Sequence, residues 1–106
     1  MKIAIDYDFT FTLDPEFWMW FIIDAIDSGH DPKIVTSRSP TLDNIDDIFE
    51  NICDVIYCDG VAKRFVCHHF ENWDPDIWID DKPSAVDNNS TATKEQLAEW
   101  RKTRDE

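Results

Sequence analysis

Lys2-Ile3-Ala4-Ile5-Asp6-Tyr7-Asp8-Phe9-Thr10 decides how the rest of the chain is read. Ile3–Ile5 is a short apolar run that suits a buried strand, and it stops at an aspartate. Three later stretches repeat the form: Lys33–Thr36, Asp54–Cys58 and Asp76–Asp80. Helical patterns separate them. Asp14-Pro15-Glu16 is a helix start, with Asp as N-cap, Pro at the first helical position and an acid in the first turn. The spacing predicts a helix from about Pro15 to Ser28, ended by Gly29, with Trp18, Phe21, Ile22, Ala25 and Ile26 on one face. A second helix is expected over Thr41–Ile52, with Leu42, Ile45, Ile48, Phe49 and Ile52 on its stripe. A third is expected over Val61–Phe70. Thr93-Lys94-Glu95-Gln96 has the capping-box pattern and predicts a last helix to about Arg104. Short apolar strands alternating with amphipathic helices predict an α/β fold around a parallel sheet.

The 106 residues suit one domain. A content of 42% hydrophobic and 31% charged residues is globular rather than disordered. Seven Phe and five Trp supply large apolar areas for a short chain. Only two glycines are present, so Asn and Asp must serve some turns. The net charge of −13 lacks the basic footprint of a nucleic-acid binder, so nucleic acid is an unexpected partner. No apolar run approaches the ~20 residues of a membrane span. Three cysteines cannot all pair, and no leader pattern opens the chain. A cytoplasmic protein with reduced thiols is therefore expected.

In an open α/β sheet, ligands bind beyond the carboxyl ends of the strands. The first end carries Asp6, Asp8 and Thr10, and the second Thr36, Ser37 and Arg38. After the third come Asp59-Gly60 and Lys63, and the fourth carries Asp80, Asp81 and Lys82. One strand ending in Asp is ordinary, because Asp favours turns and caps. Four ends that all deliver polar or ionisable groups indicate a site. Carboxylates gathered in one crevice repel unless a cation joins them, and Mg²⁺ suits carboxylate, water and phosphate oxygens.

The order of these parts resembles the haloacid dehalogenase (HAD) superfamily of phosphatases. Ile3–Thr10 is similar to that family's strand followed by Asp-x-Asp-x-Thr. Lys33–Thr36 looks like its second motif, a strand ending in Thr or Ser. Lys63 stands where the third places a lysine, and Ile77–Asp81 looks like the fourth in its paired-aspartate form. The resemblance covers roughly residues 2 to 86. It implies a three-layer Rossmann-like sheet with helices on both faces and no cap domain, since the spans Phe9–Ile34 and Arg38–Lys63 leave no room for one. It also implies an Mg²⁺-dependent phosphomonoesterase acting on a small phosphorylated substrate. Asp6 would be the covalent nucleophile and Asp8 the acid–base partner, expected to titrate above a free Asp. Asp6, the main-chain carbonyl of Asp8, and Asp80 would hold the ion, with Asp81 on a bound water. Thr36 and Lys63 would contact phosphoryl oxygens.

Several positions stay open. Ser37 could replace Thr36, Arg64 or Lys82 could replace Lys63, and Arg38 could bind substrate phosphate or be an ordinary surface residue. Phe9 departs from the acidic or small residue frequent in relatives. Response-regulator receivers share the residue types, but their order differs. Cys67-His68-His69 is contiguous, so a zinc site is not expected, nor is a Cys–His nucleophile. Cys67 should be buried and the histidines exposed. Phe17, Met19 and Trp20 are left over from the first helix's core face. They are expected to join two copies of the chain, to form a small lid, or to lie under the last helix through Leu97 and Trp100. Two further functions remain in view: a binding protein without turnover, and a phosphatase of nucleic-acid ends.

Overall fold

The computed structural model of the protein describes residues 1–45 and 51–89. Four strands, β1 (Lys2–Ile5), β2 (Asp31–Thr36), β3 (Val55–Tyr57) and β4 (Ile77–Ile79), form one all-parallel sheet in the order β3-β2-β1-β4. The expectation of a mixed α/β fold around a parallel sheet is met. β2 begins two residues earlier than the apolar run predicts, because Asp31 pairs with Lys2 and its N–H donates to the Met1 carbonyl. Pro32 is tolerated there: β3 first meets β2 at Ile34, so no partner on that side needs the missing N–H.

α1 (Pro15–Asp27) starts as its sequence requires. The Asp14 carboxylate accepts from the Phe17 N–H at 3.3 Å, and Pro15 takes the first helical position. It ends at Gly29, whose φ of +86° is the left-handed conformation a glycine adopts without strain. Gly29 N–H donates to the Ile26 carbonyl and His30 N–H to that of Ala25, which satisfies the last turn.

The alternation of side chains along the strands divides the core in two. Ile3, Ile5 and Ile34 pack with Ile22 and Ala25 of α1. Ala4, Val35 and Ile56 pack with Val66 and Cys67 of α2 (Lys63–His69). Each helix therefore packs with a different alternate set of strand side chains. The α1 face differs from its pattern in two residues: Ile26 is exposed, while Met19 packs against the core beside Trp18 and Phe21. Met19 is thus withdrawn from the surface assigned to it, whereas Phe17 and Trp20 remain exposed. They line a groove of about 470 Å³ with Phe21, Asp14, Glu16 and Asp24.

The second expected helix does not begin at Thr41. Residues 41–45 form no helix, and Leu42 is exposed rather than on a core stripe. Side chains take over the backbone donors here: Ser39 N–H binds Asp43 Oδ1 at 2.6 Å, and the Ser39 hydroxyl accepts from the N–H groups of Thr41 and Leu42. Such local bonds offer the chain an alternative to helix. Residues 46–50, with Ile48 and Phe49, lie outside the described residues, as do residues 90–106 with Leu97, Trp100 and the expected last helix. A single helical turn, α3 (Ser84–Asp87), was not foreseen and packs beside α2. No helix among the described residues is long and apolar enough to cross a membrane.

Candidate active site

The chain runs outward from β1 through β2 to β3, then returns to place β4 on the other side of β1. The crevice between β1 and β4 is therefore the point where strand order reverses. Asp6 and Asp80 follow directly on those two strands. The Asp6 N–H extends the pairing by donating to the Ile79 carbonyl at 2.9 Å. Asp6, Asp80 and Asp81 each offer a carboxylate oxygen, and these oxygens lie within 4.8 Å of one another.

Lys63, the first residue of α2, reaches into this group with its stem buried. Its Nζ lies 2.7 Å from Asp6 Oδ1 and 2.6 Å from Asp80 Oδ2, and the residue is 2% exposed. Of Lys63, Arg64 and Lys82, it is Lys63 whose ammonium meets these carboxylates. Arg64 turns outward to pair with Asp87, and Lys82 is exposed, giving only its main-chain N–H to Asp80 Oδ1. The Thr10 hydroxyl donates to the other Asp6 oxygen at 3.3 Å.

Burial pushes the Asp6 carboxyl up to about 7, its hydrogen bond with Asp81 pushes the same way, and Lys63 opposes both. Burial alone would lower the Lys63 ammonium. Its hydrogen bonds to Asp6 and Asp80 outweigh that and raise it above its ordinary value, so it stays charged. A carboxyl–carboxyl hydrogen bond between Asp6 and Asp81 needs a shared proton. A hard divalent cation would take that proton's place, so three carboxylates beside one ammonium fit Mg²⁺ by charge and by donor type.

Asp8 is not part of the carboxylate cluster. Arg38 grips it with two prongs, Nε to Oδ2 at 2.8 Å and an NH2 nitrogen to Oδ1 at 2.7 Å. Arg38 is braced in turn: its guanidinium lies 4.9 Å from the centre of the Tyr7 ring and donates to the Asp43 carbonyl. The expected crowding of Asp8 by other carboxylates is therefore replaced by an ion pair, and the reason is tertiary. The loop after β2 folds back over the loop after β1, and no local pattern around Arg38 signals that contact. Thr36 ends β2 fully buried, and its Oγ1 accepts from the Arg38 N–H at 3.2 Å. Ser37, one residue on, is only half-buried and is the more accessible hydroxyl. Main-chain bonds from Asp59 and Gly60 to the carbonyls of Arg38 and Ser37 tie the second and third loops together. Asp59 and Gly60 both have positive φ, a conformation that suits these residue types.

The cysteine and histidine run forms no second centre among the described residues. Cys67 is buried, with its thiol pushed up to about 12 by burial, while exposed His68 pairs with Asp74. No protein-family model matches the chain, and neither a curated protein nor a solved structure shows significant similarity to it.

Proposed function

We propose that the chain is a phosphomonoesterase of HAD-like, capless and three-layer Rossmann-like design, working through an aspartyl-phosphate. One observation carries this reading: Asp6 and the Asp80-Asp81 pair meet around the buried Lys63 ammonium at the strand-order reversal of a parallel sheet. Asp6 Oδ2, which accepts from Thr10 while Lys63 holds Oδ1, is the oxygen suited to attack. It forms a bond to phosphorus as the ester P–O bond breaks, and Asp8 gives the departing oxygen its proton. Asp8 then takes a proton from the water that attacks the phosphoenzyme. Phosphate leaves and both aspartates are restored. Lys63 offsets negative charge on the transferring group. Asp6, Asp80, Asp81 and the Asp8 carbonyl would hold Mg²⁺, which when bound supplies further neutralisation of phosphoryl charge. Ser37 and Thr36 are the hydroxyl candidates for substrate phosphate.

The test is phosphate release from a panel of nucleotides, sugar phosphates and an aryl phosphate, with and without Mg²⁺. Turnover that needs Mg²⁺ and vanishes in Asp6→Asn is expected. No Mg²⁺-dependent turnover on any ester would end the reading. The Arg38 grip on Asp8 favours a second reading, a binding protein whose acid–base group is held out of use. Its signature is Mg²⁺ and phosphate-ester affinity without product.

A further inference from the structure

Phe9 stands between Asp8 and Thr10 in a conformation that the fold does not repay. Its φ is +61°, the left-handed region that bulky side chains rarely adopt. The local structure holds it there: Phe9 N–H donates to the Thr12 hydroxyl at 2.9 Å, and Thr10 is fixed on Asp6. Elsewhere among the described residues positive φ falls on Gly29 and Gly60, or on Asp59 and Asn72, the residue types suited to it. An aromatic there is strained, and strain persists where burial compensates it. Here burial does not: Phe9 is 69% exposed, and it makes no ring stacking or cation–π contact among the described residues. A lone exposed apolar residue is ordinary on a surface, but a strained one beside two site residues is not.

We propose that the Phe9 ring is a stacking platform for the leaving group, and that the substrate is a phosphomonoester whose leaving group carries a planar aromatic ring. The inference rests on the phosphatase reading for the position of the phosphoryl group at Asp6. From there the esterified group must reach Asp8, which gives it a proton, and the exposed Phe9 follows Asp8 directly in the chain. An aromatic face binds another planar ring without needing to read its edge. The chain's net charge of −13 disfavours a polymeric polyanion, which leaves small esters.

Phe9→Gly is the informative variant, because glycine suits the backbone and should keep or raise the unfolding midpoint. Three substrates are compared: a nucleoside 5′-monophosphate, an aryl phosphate, and glycerol phosphate as the ring-free control. The variant should raise KM for one or both aromatic esters about tenfold, the scale of one lost stacking contact, and leave glycerol phosphate unchanged. Which aromatic ester responds identifies the source of the ring. An equal change for all three, or none, overturns the platform. Turnover of ring-free esters alone also overturns it. If the parent protein turns over neither these three nor any other ester of the wider panel, the phosphatase reading fails by itself. Equilibrium binding of the nucleoside monophosphate then decides about Phe9: about tenfold weaker binding by the variant supports the platform, and equal or undetectable binding in both overturns it.

Discussion

Lys63→Met is the substitution whose consequences the structure specifies most fully. The side chain keeps a similar length and an apolar stem, so the change removes mainly the charge and its two hydrogen bonds, at 2.7 Å to Asp6 and 2.6 Å to Asp80. Side-chain exposures of 2%, 7% and 4% for Lys63, Asp6 and Asp80 leave little solvent to screen what remains. Breaking a buried pair from one side costs about 3–5 kcal/mol, because the abandoned carboxylates stay desolvated. For a domain of this size, that corresponds to a fall in unfolding temperature of roughly 15–30 °C. The loss must also depend on pH. The Asp6 carboxyl is raised from 3.8 to about 7 in the folded protein, and Lys63 is the group that opposes the rise. Removing it drives the carboxyl further up. A carboxyl raised on folding binds its proton more tightly in the folded chain, so its contribution is full below about pH 4 and is lost as pH climbs through the folded value. The deficit of the variant should thus be greatest near pH 8 and shrink towards pH 5. Mg²⁺ should restore more stability to the variant than to the parent, since it meets the same carboxylates without a resident cation. Urea unfolding across pH 5–8, with and without Mg²⁺, measures both. A deficit under 1 kcal/mol, or one that is the same at every pH, would refute the buried-cation account.

Three further outcomes are expected. Asp6→Asn should flatten the parent's decline in stability between about pH 4 and 7, read from the same urea series, because the raised carboxyl is gone. Gly29→Ala should cost about 1 kcal/mol: a methyl group there meets nothing within 4 Å, so the cost is that of φ +86° alone. A lower urea midpoint with unchanged slope is the expected signature. Trp20→Glu should sediment like the parent, because Asp14, Glu16 and Asp24 surround the exposed Phe17 and Trp20 and would repel the same face of a second copy. A smaller sedimentation coefficient for the variant would show instead that this face joins two chains.

The carboxyl-end clustering of Asp6, Thr36, Lys63 and Asp80 was open to inspection in the chain alone, because each lies within a few residues of a short apolar run. Periodicity and caps act over one or two turns, so they also located α1, its Asp14 start and its Gly29 stop. They expected a helix to begin at Thr41, where Ser39 and Asp43 side chains take the backbone donors. They gave Ile26 to the core and Met19 to the surface, since spacing names a face without saying how wide the sheet beneath it is. Which strands are neighbours is beyond local pattern. β1 and β4 lie more than seventy residues apart, and only packing on both faces of the sheet sets them side by side. That adjacency decides that Lys63, rather than Arg64 or Lys82, enters the acidic crevice. It is equally the folding of one loop over another that gives Asp8 to Arg38, an interaction between side chains thirty residues apart that no local propensity encodes.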